Sequence, residues 1–215
     1  DFQYPAAGRR RPLLVDYTTL TRRATDRLIE FPGRPLMMGV VNVTPDSFSD
    51  GGRYLDPDAA VAHALRLVEE GADLLDIGAE STRPGADPVE EAEERRRAIP
   101  VVAAVAKAVR VPISIDPSKA SVAQAALDAG AVLVNDVTAL RGDPAMVEVI
   151  VRMGAGIVLM HMSGTPRTMQ QQPSYEDVVG EVSAFLDERI RFALSRGLVQ
   201  TQIVLDPGIG FGKLL

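Results

Sequence analysis

The sequence has no cysteine and no tryptophan, only two histidines, and 5% aromatic residues. The missing cysteines exclude a disulfide scaffold, a thiolate metal site and a cysteine nucleophile. The histidines lie far apart in the chain, which argues against a zinc site. No apolar run approaches the roughly 18 residues of a membrane-spanning helix. A net charge of −6 without a basic stripe disfavours nucleic-acid binding. We therefore expect neither a nucleic acid nor a membrane as a partner.

What is present is the material of one globular domain. Apolar residues make up 46% of the 215 residues, which is enough for one sizeable core. Residues 1–35 differ from the rest, because they hold an arginine cluster and a short β-prone stretch around 13–20. We predict an N-terminal extension over 1–35, with a strand or hairpin in it, and the main domain over 36–215.

From residue 36 onward, short apolar runs alternate with amphipathic segments. The runs cover residues 36–42, 73–78, 112–116, 131–136, 156–162 and 202–206. Each is too short for a helix and is bounded by turn residues, which predicts buried strands. The segments between them carry helix signals. The predicted N-terminal caps are Asp56, Ser118 and Asp143, and the predicted C-terminal glycines are Gly71, Gly130, Gly154 and Gly197.

Strands that alternate with helices predict a parallel sheet, either doubly wound or closed as a (β/α)₈ barrel. All six predicted strands end in polar side chains, namely Asn42, Asp76, Asp116, Asn135-Asp136, His161 and Asp206. Residues of this kind also form turns and caps, which is the competing interpretation at any single position. In a barrel all carboxyl ends converge on one mouth, whereas in an open sheet only those at the switch point do. The fold class predicted is therefore an α/β (β/α)₈ TIM barrel, incomplete, with six of eight strand units.

The loops after these strands suit anion binding. Residues 44–52 and 80–85 are rich in hydroxyls and glycine, and Arg83 can form a fork onto phosphate oxygens. Residues 206–213 combine glycines with Lys213, which offers close backbone approach and a cation. This last run is not a Walker A loop, because Pro207 replaces its first glycine and Leu214 its Ser/Thr. The run Met160-His161-Met162 can line a pocket for a flat ligand.

Two long motifs carry a family resemblance. Residues 38–52 read MGVVNVTPDSFSDGG, and residues 76–85 read DIGAESTRPG. Shorter segments follow in order: SID at 114–116, VND at 134–136, LMHM at 159–162 and DPGIGFGK at 206–213. With these motifs the chain resembles the dihydropteroate synthase family over residues 36–215.

The resemblance implies a cytoplasmic, usually homodimeric TIM-barrel transferase of folate biosynthesis. It would condense 6-hydroxymethyl-7,8-dihydropterin diphosphate with 4-aminobenzoate, release diphosphate and use Mg²⁺. Asp116, Asn42 and Arg83 would be the catalytic residues, with Asn42 at the metal–diphosphate unit. The substrate-binding residues would be Asp116, Asn135, Asp206 and Met160 at the pterin, Thr82 on the closing loop, and Phe48, Pro84 and Phe211 around the aminobenzoate.

The sequence departs from the family pattern in one respect, and two alternative functions stay open. The family's late Ser-Arg-Lys and Arg-x-His segments have no counterpart in the sequence, so we expect the 215 residues alone to lack catalytic competence. The alternatives are a degenerate, non-catalytic pterin-binding barrel and a methyltetrahydrofolate-dependent corrinoid methyltransferase. The methyltransferases share the Asp and Asn pterin acceptors but not the two long loop motifs.

Overall fold

The computed structural model describes residues 34–44, 56–80, 89–164, 169 and 174–213, with the backbone of 19–20 and 29–30. The elements within these residues are β1 (Thr19–Leu20), β2 (Ile29–Glu30), β3 (Met38–Asn42), α1 (Pro57–Glu69), β4 (Leu74–Gly78), α2 (Glu91–Ala108), β5 (Ile113–Asp116), α3 (Ala120–Asp128), β6 (Leu133–Asp136), α4 (Met146–Met153), β7 (Gly156–Met160), α5 (Val178–Ser195), a 3-10 turn (Gln200–Gln202) and β8 (Ile203–Asp206). None of the helices in these ranges combines the length and apolar character needed to cross a membrane.

Strands β3 to β8 form one parallel sheet, and their order in space is their order along the chain. A doubly wound sheet would reverse its strand order at a switch point, and the described sheet has no such reversal. Each strand from β3 to β7 is followed by a helix. Neighbouring parallel strands joined in sequence by helices are the arrangement of a (β/α)₈ barrel. The predicted fold class is confirmed, and the six strands are six strand units of that architecture.

The predicted hairpin near the N-terminus is present. Strands β1 and β2 pair antiparallel, with Thr19 opposite Glu30. The backbone of β1 lies beside the 3-10 turn that precedes β8, so the hairpin sits near the amino end of that strand. The boundary between the extension and the main domain stays a prediction.

The strands and the helix ends lie close to their predicted positions, and most differences are at the strand starts. The first strand begins at Met38 rather than at residue 36, and β7 ends at Met160 rather than at residue 162. Asp56 caps α1 as predicted, because its side chain accepts a hydrogen bond from the Asp58 backbone N–H. The four predicted C-terminal glycines all have positive φ angles between 62° and 116°.

Two predicted N-terminal caps are wrong, because α3 follows Lys119 rather than Ser118 and α4 follows Ala145 rather than Asp143. Ser118 does not cap α3, because its hydroxyl donates to Glu80 Oε2 at 2.5 Å. The first backbone N–H of α3, at Ala120, instead donates to Asp143 Oδ2 at 2.8 Å. Asp143 also accepts from the Ala145 N–H at 2.9 Å, and a tight turn precedes α4, which begins at Met146. One carboxylate therefore serves two helices, a link that no local sequence pattern shows.

The two faces of the sheet carry different apolar layers. One face packs against the helices and includes the fully buried Val41, Ile77 and Leu159. The other face has a smaller cluster near the amino ends of the strands, which we call the interior floor: Leu74, Leu133 and Val158, with Leu36 and Val204 beside them. Side chains alternate along a strand. The next residues on this face, two positions after those of the interior floor, therefore lie closer to the carboxyl ends of the strands.

Candidate active site

The strand register brings the predicted site residues to one face. Asn42 lies opposite Gly78, and Gly78 lies opposite Asp116, so these three residues form a row across β3, β4 and β5. Met160 lies opposite Asp206 in the same way on β7 and β8. Asn135 is two residues after Leu133 of the interior floor and therefore shares its face. All of these side chains lie at the carboxyl ends, where barrel enzymes hold their active sites.

A buried carboxylate orients Asn135. Asn135 Nδ2 donates to Asp76 Oδ2 at 2.9 Å, although β4 and β6 are separated by β5. Asp76 is only 6% exposed, and Ser114 on β5, whose hydroxyl is also buried, lies directly opposite it in the register. Burial raises the pKa of Asp76, and hydrogen bonding from Ser114 and then from Asn135 opposes that shift.

Asp116 lies in the most acidic part of the site. Its carboxylate stands over the backbone of Gly78, where an added Cβ would lie 3.8 Å from Asp116 Oδ2. Burial raises the pKa of the Asp116 carboxyl well above its usual range, and the charge of Asp76 is the next cause, followed by that of Asp136. Such a group gains most from a ligand that brings hydrogen-bond donors or positive charge.

Asp206 is held by the turn that follows it. Its Oδ1 accepts from the Gly208 N–H at 2.7 Å, and its backbone carbonyl accepts from the His161 N–H at 2.9 Å. Gly208 has a φ of 66°, and a Cβ there would lie 2.0 Å from the His161 carbonyl oxygen. Only glycine fits this contact between the loop after β8 and the end of β7.

A methionine-rich wall borders the mouth beside Asp206. Met160, Met162 and Met169 are buried together with Val137, and Phe211 packs against this cluster. Tyr175 donates its hydroxyl hydrogen to the Gly212 carbonyl at 2.7 Å and thereby ties the segment before α5 to the loop after β8. The wall is apolar and polarisable, which suits one face of an aromatic ligand.

His161 belongs to the structure around this wall. Its ring packs edge-on against Phe185, with 4.8 Å between centroids. Burial lowers the pKa of His161, and the positive charge of Lys213 adds to the effect. The ring is thus fixed by aromatic packing, and the cost of charging it makes it a poor partner for phosphate. Within the described ranges no group of three His, Cys, Asp or Glu side chains could hold a metal ion.

A second charged cluster supports the rim. Lys119 Nζ donates to Glu94 Oε2 at 2.6 Å and to Glu80 Oε2 at 3.2 Å. Glu94 is 1% exposed, and burial raises its pKa while Lys119 opposes the shift. Glu80 Oε1 accepts from the Val89 N–H at 3.1 Å, which joins both sides of the 81–88 segment. Lys119 is thus paired within the protein rather than directed to a ligand.

The predicted site residues fall into two groups. Asn42, Asp116, Asn135, Met160, Asp206 and Phe211 lie at the carboxyl end of the sheet as expected. Phe48, Thr82, Arg83 and Pro84 lie outside the described residues. Asp76 was predicted only to end its strand, and Ser114 had no predicted role. The two residues lie opposite each other on the neighbouring strands β4 and β5, and this pair of polar residues within buried strands is the signal that could have identified them.

The comparisons with known proteins agree with this geometry. The family model "Pterin binding enzyme" matches residues 38–215. The dihydropteroate synthase of Synechocystis sp. is 42% identical over 200 residues, which are 93% of this chain and 69% of that protein.

Two solved structures from Xanthomonas albilineans have the same fold. A dihydropteroate synthase with 4-aminobenzoic acid is 48% identical, with a TM-score of 0.82, over 92% of this chain and 69% of that one. A dihydropteroate synthase in complex with 7,8-dihydropteroate is 46% identical, with a TM-score of 0.76, over 88% and 66%.

The chain spans about two thirds of the length of the curated relatives it matches. The matched region includes all six parallel strands and every described site residue. On the family match, the identity to these relatives and the shared fold, the chain belongs to the dihydropteroate synthase family of pterin binding enzymes.

Proposed function

We propose that the protein condenses 6-hydroxymethyl-7,8-dihydropterin diphosphate with 4-aminobenzoate, giving 7,8-dihydropteroate and diphosphate in folate biosynthesis. The single observation that carries this proposal is the set of acceptors on one face at the carboxyl ends, around Asp116, Asn135 and Asp206. Relatives whose structures contain 4-aminobenzoic acid or 7,8-dihydropteroate support the same reaction.

The acceptors match the pterin. Its aminopyrimidinone edge carries several N–H donors, and a buried donor or acceptor without a partner is costly. The Asp116 carboxylate and the Asn135 amide oxygen are available for such donors, since the described residues donate no hydrogen bond to either. Binding there would favour the charged form of Asp116, which the unliganded site disfavours.

Asn42 is our candidate for the diphosphate end. It lies exposed at the end of β3, one strand beyond Gly78 from Asp116. The described residues contain no protein cage for a metal, but Mg²⁺ keeps several waters and needs only one or two protein oxygens beside substrate phosphates. The Asn42 amide oxygen fits that demand, and bound Mg²⁺ would supply neutralisation of the leaving diphosphate. Arg83 would add bidentate contacts to phosphate oxygens.

The reaction does not require a strong general base. Departure of diphosphate leaves a cationic methylene conjugated with the pterin, and the nearby Asp116 charge would stabilise it. An aryl amine is a weak nucleophile, so the site must orient it and exclude water. Met160 and Phe211 provide one apolar wall, and we propose that Phe48, Thr82 and Pro84 complete the enclosure. A homodimer in the cytoplasm remains the sequence-based prediction for assembly and location.

An Asp116→Asn variant tests the proposal. We expect kcat/KM for the pterin diphosphate to fall by about 100-fold or more, because the charge that stabilises the cationic methylene is lost. Diphosphate release that depends on both Mg²⁺ and 4-aminobenzoate is the measurement, with Asp128→Asn on the exposed end of α3 as the matched control. Wild-type kinetics in Asp116→Asn would remove this residue from the site. Both measurements use the full-length protein with the family's late segments, and no amine-dependent release from it would overturn the function itself.

A further inference from the structure

The loop after β8 closes around one ammonium group. Lys213 Nζ donates to the backbone carbonyls of Gly208 at 2.8 Å, Phe211 at 3.1 Å and His161 at 3.2 Å. A lysine ammonium has three N–H donors and no acceptor. All three donors are therefore used within the protein, and none is left for a phosphate or other ligand.

These contacts tie two separate segments together. His161 directly follows β7, whereas Gly208 and Phe211 belong to the loop after β8. The loop contains three glycines with φ between 66° and 89°, at positions 208, 210 and 212. Glycine-rich backbone loses much conformational freedom on ordering, so a loop of this composition needs a fixed link to keep one shape.

The electrostatics agree with an internal role. Lys213 is half-buried, and burial lowers its pKa while the charge of Asp206 opposes that shift. His161, whose backbone carbonyl accepts from Lys213, has its own pKa lowered by burial and by the charge of Lys213. The three carbonyl dipoles replace the water that the ammonium has lost.

We propose that Lys213 is a positioning residue that fastens the 206–213 loop to the end of β7 and so fixes Phe211 and Asp206 at the mouth of the site. Phe211 is held against Met160 and Met162 on one side of the link, and Asp206 is held by the Gly208 N–H on the other. The consequence for substrate rests on the proposed function. The fastening itself does not.

Hydrogen exchange of the unliganded protein tests the fastening directly. In Lys213→Met we expect exchange of the Phe211 amide, which donates to the Gly208 carbonyl, to rise about tenfold or more, since a lost hydrogen bond to a charged group corresponds to at least that factor. Lys107→Met, an exposed lysine in the last turn of α2, is the matched control and should leave this amide unchanged. Unaltered exchange at Phe211 in a folded Lys213→Met protein would overturn the proposal.

Kinetics separate positioning from phosphate binding. Loss of positioning should raise KM for 4-aminobenzoate several-fold while the affinity for inorganic diphosphate stays constant. A fall in diphosphate affinity with normal exchange would instead make Lys213 a ligand for the leaving group. Lys213→Arg keeps the charge and some donors, so it should restore part of the exchange protection even if Lys213→Met folds poorly; no restoration would contradict the link. Slow exchange at Phe211 with no synthase activity in the full-length wild-type protein would reject the proposed function and leave the fastening intact.

Discussion

The Asp76 side chain determines which atom the neighbouring Asn135 amide presents to a ligand. A carboxylate only accepts hydrogen bonds, so the Asn135 amide turns its Nδ2 towards Asp76 and leaves Oδ1 free. The ligand then meets an acceptor on β6, next to the acceptor of Asp116 on β5. An amide alone has no such preference, and its orientation here comes from two strands away.

Asp76→Ala should weaken binding of 7,8-dihydropteroate by roughly tenfold or more, because the Asn135 amide loses the acceptor that orients it. Titration calorimetry measures this directly. Asp128→Ala, on the exposed end of α3, is the matched control and should leave the affinity unchanged. Equal affinities for wild type and Asp76→Ala would show that Asn135 needs no orientation.

The residue types at the site could be predicted from the sequence, but their interactions could not. Polar endings on consecutive strands led to Asp116, Asn135 and Asp206 because parallel strands converge at their carboxyl ends. The contact between Asp76 and Asn135 spans 59 positions along the chain, and it depends on the stagger of β4, β5 and β6. The sequence predicts Lys213 as a cation at the site for the same reason, since one of its carbonyl partners, His161, lies 52 positions away in the chain, just after β7.

At the scale of elements, one side chain links two neighbouring βα units. Asp143, in the turn before α4, satisfies the first N–H of α3 and a backbone N–H of its own turn. The start of α3 is therefore fixed by a residue 23 positions later. A sequence pattern predicts a helix start from a capping residue close by in the chain. It therefore predicted Ser118 as the cap of α3, because Asp143 is too far away in sequence to be considered.

Asp143→Ala should lower the free energy of unfolding by about 1–2 kcal/mol, as expected for the loss of an N-terminal cap. Urea denaturation of the unliganded protein gives this value. Asp128→Ala removes the same side chain from the exposed end of α3 and is expected to be neutral or slightly stabilising, since an acid there opposes the helix dipole. A larger loss in Ser118→Ala than in Asp143→Ala would restore Ser118 as the cap.

At the scale of the whole molecule, the buried carboxylates give stability a pH dependence. The pKa values of Asp76, Glu94 and Asp116 are all raised, mainly by burial. The folded protein therefore keeps protons that the unfolded chain loses above about pH 4, so these groups make stability fall as pH rises from there through their folded pKa values. Asp73 and Glu93, with pKa values lowered to about 2 mainly by arginine partners, act in the opposite sense below pH 4, but both are only half-buried and pair with the exposed Arg34 and Arg96, so solvent screens the effect.

Asp116→Asn should therefore raise the free energy of unfolding at pH 7 and change it less near pH 4, because the variant no longer has a buried carboxyl that must become charged as pH rises. Denaturation at several pH values between 4 and 7 measures the difference, with Asp128→Asn as the control. If stability depended on pH in the same way in wild type and Asp116→Asn, the prediction would be contradicted, because burial would then not raise the pKa of the Asp116 carboxyl.

Gly78 and Asp116 are neighbours in the register of β4 and β5. Within the described residues nothing donates a hydrogen bond to the Asp116 carboxyl, so an arriving pterin would be its first donor. Because burial and the neighbouring carboxylates raise the pKa of Asp116, the N–H groups of a ligand would draw that pKa down on binding. Under the proposed function, substrate capture would therefore be linked to pH, with hydrogen ions released to solvent at pH values between the two pKa values of this carboxyl.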